Sequence, residues 1–427
     1  MVSSRTVSSV ATVLRLVLLP RLPATADGFE FVSVSKGNLP EPLTGHGFDH
    51  VAAANDGSDI IWACGRSGTL EGFSVAAAGQ ATSVYRSGAG EVPGCSALTF
   101  LHGPGHRTGS PLVPMITGLV VATDDGLIAY NITARDPEGQ LELARSSDVA
   151  PPTAGSVTAI RLFRHFKSTT PGQLDPDALI VGAASTGEIF AANVSPGGSL
   201  HVATGSFPVS KLVNASAGGA APAVGGFAQW DFMGISMYLG VTFSSGPAVL
   251  CALAISGHDS LEPRDPSTWG VSGLAHPILA PAGFPSESGC GDTVEHNDVI
   301  YIACSGANAV LAVSLESDTN PVFNLPFPGK HARGLLLVGD ALFVGGGNDI
   351  AVYDLSKVNP DTNKSAPVLV GQCGGSCDTI LGKSAQKANA HGMTYRYDIK
   401  AQKHNLVLSA AYGKSAADSL IVHVVEW

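Results

Sequence analysis

Short apolar runs alternate along this chain with turns rich in Gly, Ser, Asp and Asn, and the alternation repeats. Seven copies of one unit can be aligned: Asp59–Val75, Gly118–Ile132, Ala178–Val194, Met237–Ile255, Val299–Leu315, Ala341–Leu355 and Asn405–Glu426. Each is an apolar strand, a small-residue turn and a second apolar strand. The first strand of each copy is apolar almost throughout, as expected when both faces are buried between stacked sheets. The copies start about 42 to 64 residues apart, within the length of a propeller blade with long loops.

A lone hairpin cannot bury its face, so seven hairpins need a shared core. A propeller blade also needs an inner strand before the hairpin and an outer strand after it. A column of glycines marks the inner strands: Gly47, Gly94, Gly155, Gly226, Gly289, Gly334 and Gly392. Small residues suit strands that crowd around an axis. Outer strands are readable at Ser83–Tyr85, Pro321–Phe323 and Pro367–Val370. The last copy has no outer strand after it, whereas Phe29–Ser35 stands alone near the start and largely alternates apolar with polar. The fold expected is therefore all-β, a seven-bladed β-propeller whose last blade is closed by the N-terminal strand, which removes two exposed edges. A six-bladed ring is the rival, with one copy spurious.

Residues 1–26 differ from the rest: they hold no Asp or Glu, carry Arg5, Arg15 and Arg21, and end in Ala24-Thr25-Ala26 before Asp27. They read as a secretory signal peptide, with an organelle transit peptide or a plain tail as alternatives, and 27–427 as the propeller. Four glycosylation sequons, at Asn131, Asn193, Asn214 and Asn363, fit a secreted glycoprotein. Of the seven cysteines, Cys373 and Cys377 could close a small disulfide loop. Most of the others fall in strand-like runs, which favours buried small hydrophobes.

A net charge of −11 and the lack of any run of four basic residues argue against nucleic acid. No apolar stretch is long enough for a membrane span. There is no phosphate-binding loop, no His-Glu-x-x-His zinc motif and no nucleophile elbow.

Propeller sites gather where loops enter the inner strands. The residues before the column glycines include His46, Arg333 and His391, from the first, sixth and seventh copies, which are consecutive in a closed ring. Two imidazoles beside a guanidinium suit an oxyanion or carboxylate, with histidine as proton donor or acceptor. His331, His50 and Asp49 stand close in sequence as ligand-binding candidates. The plainer reading is that these histidines cap loop backbone. A divalent metal is a further alternative: His46, His391 and His331 could form an open three-histidine set, or Asp49, Asp292 and Glu295 a calcium site.

The His-Gly pairs in Gly45-His46-Gly47-Phe48 and Ala390-His391-Gly392-Met393, with runs such as Asp177–Gly182, resemble the broad superfamily of lactonase-like and streptogramin-lyase-like propellers, from about Phe29 to Trp427. That resemblance implies a propeller scaffold whose members include lactone-cleaving hydrolases, lyases and binding proteins. It implies acid–base roles for His46 and His391. Two functions stay open. One is a secreted propeller that binds a small molecule, glycan or protein at one face. The other is a lactonase- or lyase-like enzyme using His46, His391 and Arg333.

Overall fold

The structure is a computed structural model that describes residues 33–36, 50–53, 60–65, 68–75, 81–102, 116–135, 141–153, 155–164, 177–194, 198–202, 205–212, 223–232, 236–243, 248–255, 278–279, 289–314, 322–346, 349–356, 367–372, 389–398, 403–411 and 423–426. These residues are almost all strand and turn, with a single 3-10 turn at Val209–Lys211.

Strand β1 (Ser33–Lys36) belongs to the last sheet. The first sheet is β2 (His50–Ala53), β3 (Ile60–Cys64), β4 (Leu70–Val75) and β5 (Ala81–Arg86). The second is β6 (Ala97–His102), β7 (Ile116–Thr123), β8 (Gly126–Arg135) and β9 (Leu141–Val149). The third is β10 (Val157–Arg164), β11 (Asp177–Ala184), β12 (Glu188–Val194) and β13 (Leu200–Val202), with the short β14 (Phe207–Pro208) also on β12. The fourth is β15 (Val224–Phe232), β16 (Ser236–Phe243), β17 (Ala248–Ile255) and β18 (Ile278–Leu279). The fifth is β19 (Cys290–His296), β20 (Val299–Cys304), β21 (Ala309–Ser314) and β22 (Val322–Pro326). The sixth is β23 (Gly334–Val338), β24 (Ala341–Gly346), β25 (Asp349–Asp354) and β26 (Val368–Gln372). The seventh is β27 (Asn389–Asp398), β28 (Lys403–Ala411) and β29 (His423–Glu426), with β1 added at its edge. Every pairing is antiparallel, and β1 runs from Ser33 opposite Glu426 to Lys36 opposite His423.

Each sequence repeat is the middle hairpin of one sheet. The reason is burial on both faces: β20 and β21 are buried at every position, so only side chains that tolerate a dry environment on either side are admitted. The hairpin turns follow their residue types. Asn297 and Asp298, both at positive φ (47° and 59°), form the two-residue turn between the paired His296 and Val299. Large rings cover cross-strand glycines: Trp62 lies on Gly72 and Phe190 on Gly182.

The first strand of each sheet lies against the first strand of the next, through β2, β6, β10, β15, β19, β23 and β27, and β27 lies against β2. Apolar cores fill the spaces between sheets one and two, two and three, three and four, and five and six.

One sequence expectation is corrected. Cys64 is bonded to Cys95, across the first and second sheets, and Cys290 to Cys304, between paired strands of the fifth. These four are therefore not isolated small hydrophobes. Both bonds join a cysteine closing a second strand to one that follows a column glycine. Cys251 is buried and in no disulfide, and Cys373 and Cys377 lie outside the described residues. Asn131 and Asn193 sit within strands paired on both sides rather than in loops, and the Asn193 Oδ1 is buried. Asn214 and Asn363 lie outside the described residues.

Candidate functional site

The first strands do not begin smoothly. β10, β15, β19 and β27 each carry a register shift near their start, at Val157/Ala159, Val224/Gly226, Cys290/Thr293 and Ala390/Gly392. Such bulges bend a strand and re-aim its side chains. Glycine lets the bent strands approach. A Cβ on Gly225 or Gly226 would run into the carbonyl oxygens of Cys290 and Gly291 on the neighbouring strand.

These strand starts frame a cavity of about 990 Å³, whose wall draws on the second to the seventh sheets, from Ser96 through Thr158 and Gly226 to Asp292, Arg333 and Met393. Its polar groups are tied across sheets. The Ser96 hydroxyl donates to the Val157 carbonyl (2.5 Å), joining sheets two and three. The Thr293 hydroxyl donates to the Phe227 carbonyl (2.7 Å), and the Thr242 hydroxyl to that of Gly291 (3.0 Å), joining sheets four and five.

Two carboxylates tie the strands together here, Asp292 on the wall and Glu295 behind it. Asp292 takes one N–H on each oxygen, from Thr293 (3.0 Å) and, across the seam to the sixth sheet, from Leu335 (2.8 Å). Glu295 accepts the Gln229 N–H at 2.7 Å and pairs with the Arg161 guanidinium at 2.9 Å. Arg161 is on the third sheet and Glu295 on the fifth, so this ion pair reaches past the fourth.

Asp292 opens onto the cavity, and the protein packed around it strips its carboxyl of much of its water. That enclosure pushes its carboxyl up to about 6, and Glu295 adds to the rise. The Leu335 N–H, Arg161 and the Thr293 N–H oppose it. A carboxyl near 6 can exchange a proton close to neutral pH.

Of the residues singled out from the sequence, Arg333 lies on the cavity wall. His391 occupies the register shift of β27, and His50 opens β2 opposite Cys64. β27 lies against both β23 and β2, which sets the backbones of His391 and His50 on adjoining strands. His331 is not on the wall. It is an exposed turn residue at φ 56° whose backbone N–H donates to Asn308 Oδ1 (2.6 Å), so Asn308 caps this turn. His46 and Asp49 lie outside the described residues.

Of the calcium alternative, Glu295 is committed to the Gln229 N–H and the Arg161 guanidinium, and Asp49 lies outside the described residues. Among the described residues no group of three His, Cys, Asp or Glu could hold a metal ion, and no helix is long and apolar enough to cross a membrane.

What the sequence reading missed was the pairing of Asp292 and Glu295 with groups 43 to 134 residues away. A local motif cannot carry that signal. The disulfides did leave one: Cys64 and Cys304 both close an Ala-Cys strand end, and Cys95 and Cys290 both follow a column glycine.

No family model and no curated protein matches the sequence. Solved structures do match in fold. Saccharomyces cerevisiae Sqt1 aligns over 92% of this chain and 100% of its own, at 9% identity and a TM-score of 0.52. Chaetomium thermophilum Sqt1 aligns over 88% and 82%, at 13% identity and 0.50. BBS1N, solved in complex with ARL6DN, aligns over 90% and 94%, at 10% identity and 0.50. The chain is similar to these propeller-type structures at the level of fold.

Proposed function

We propose that the seven sheets are the blades of one closed propeller, with β1 completing the last, and that the molecule is a binding protein. It takes a ligand or partner at the mouth of the central channel. The observation that carries this reading is the 990 Å³ cavity at the strand starts, with Asp292 and Arg333 on a wall contributed by several sheets. A wall shared among blades is rigid, and rigidity lowers the ordering cost of binding. BBS1N, which has the same type of fold, was solved with a protein partner.

The molecule acts in an oxidising compartment, as a secreted protein. Two disulfides within the fold support this reading, since such bonds persist there and are reduced in the cytosol. Residues 1–26 have the composition of a targeting segment.

The test is to fill the channel. Thr158→Trp, at an exposed wall position, should abolish ligand-induced thermal stabilisation, worth about 2–3 kcal/mol at a hundredfold excess over Kd. Val368→Ser, on an outer strand, should leave it intact. Stabilisation that survives Thr158→Trp rules the channel out as the site.

One observation favours a second reading, a hydrolase or lyase: the Asp292 carboxyl near 6 faces the cavity, as an acid–base group would. Turnover of a lactone panel by the wild type and its loss in Asp292→Asn would select that reading over simple binding.

A further inference from the structure

The hydrogen-bonding polarity of the channel wall defines what it can hold. A serine or threonine hydroxyl has one hydrogen to give. On this wall Ser96 gives its hydrogen to the Val157 carbonyl (2.5 Å), Thr158 to that of Ala183 (3.3 Å) and Ser305 to that of Gly289 (3.3 Å). With those hydrogens committed, what the three hydroxyls can still offer is oxygen lone pairs. All three residues line the cavity, and none is fully buried.

The charged groups point the same way. Asp292 and Asp124 are exposed on the wall. Each Asp292 oxygen takes one backbone N–H, and a carboxylate oxygen can accept more than one. Arg161 and Glu295 form an ion pair and cancel as charges. That leaves two carboxylates against the single guanidinium of Arg333 among the described wall residues. The chain as a whole carries −11, which draws cations towards it.

The geometry points to a small organic cation of the alkylammonium class as the channel's ligand, its N–H groups donating to Asp292 and to hydroxyl oxygens elsewhere on the same wall. This rests on the channel being the binding site and names what the site takes. It differs from the oxyanion that Arg333 and the two histidines suggested from sequence. A carboxyl near 6 is charged at neutral pH and neutral in mild acid, so the ligand is held in the first condition and released in the second. The charged groups around it are Arg161 on β10, Glu295 on β19 and Arg333 beside β23.

Calorimetry with putrescine, succinate and mannitol at about pH 7.5, where the carboxyl is ionised, tests this. Putrescine should bind, and succinate and mannitol should not. Asp292→Asn should weaken putrescine by roughly tenfold or more, the scale of one lost charge-assisted hydrogen bond. Asp292→Asn also removes a contact between sheets, so Asp124→Asn, which leaves that contact in place, is the second variant and should weaken binding about threefold through lost charge alone. Putrescine binding equally to both variants overturns the ligand class, and so does the absence of any putrescine binding. Succinate or mannitol binding that Thr158→Trp abolishes overturns the ligand class while leaving the channel as the site.

Discussion

Two seams between neighbouring sheets hold in opposite ways. Between the first and second sheets the joint is apolar and covalent: Trp62, Leu70, Phe100, Leu119 and Tyr130 share one core, and Cys64–Cys95 staples the two sheets beside it. Between the fourth and fifth the strands meet backbone to backbone. Gly225 and Gly226 stand against Cys290 and Gly291, and the joint is made by Thr293, Thr242 and Glu295 reaching carbonyls and an N–H of the neighbouring sheet. The first seam resists separation without regard to direction. The second depends on hydrogen-bond geometry, and it brings Asp292 to the cavity. Polar joints set positions more narrowly than apolar ones, so the wall that must present Asp292 is built from them. Apolar and polar joints are thus divided between different seams.

The sharpest way to break that division is Trp62→Ala. The indole is 2% exposed, lies on Gly72 and sits 5.6 Å from the Tyr85 ring. Its loss should cost about 3–5 kcal/mol in chemical denaturation, through lost burial and the void left behind. Ligand affinity of the folded fraction should stay the same. If putrescine affinity falls along with stability, the two seams are not independent.

A smaller effect belongs to the polar seam. Thr293→Val keeps the volume of a 3% exposed side chain but leaves the Phe227 carbonyl without its donor. The expected cost is about 1–2 kcal/mol, that of one unpaired buried acceptor. Unlike the loss of Trp62, this change should weaken binding, because Thr293 is next to Asp292. The Trp62→Ala and Thr293→Val costs should add within about 0.5 kcal/mol, since they lie in separate seams. A larger coupling would mean strain passes between them.

The contrast also explains what could be read from the chain alone. The hairpins were readable because burial on both faces writes itself into consecutive residues: β20 and β21 are apolar along nearly their whole length. The column glycines were readable as a crowding signal, and the contact of Gly226 with Gly291 gives that signal its cause. The wall chemistry was not readable. Glu295 looks like one acidic residue ahead of a hairpin turn, and its partner Arg161 lies 134 residues earlier. Arg333, picked out by its place before a column glycine, does line the wall, whereas His331, picked out by nearness in sequence, sits in an exposed turn away from it. Position within the repeat carried spatial information, and nearness along the chain did not.

The smallest expected effect is the pH response of Asp292, which follows from enclosure in the polar wall. Its carboxyl, at about 6, lies above the roughly 3.9 of an unfolded aspartate. Between those values the folded chain holds a proton that the unfolded chain has released, so this group adds stability as pH falls through 6. The gain levels off below the unfolded value and is lost as pH rises again. Because the side chain meets solvent in the cavity, screening keeps the gain modest. Melting curves of the wild type and Asp292→Asn from about pH 7.5 to 4.5 isolate it, because other titrating groups are common to both proteins. The wild type should gain on the variant as pH falls. A difference that stays constant, or one that shrinks, would mean that the carboxyl titrates as a solvated side chain. The polar seam would then be an open surface, and its contrast with the apolar seam would disappear.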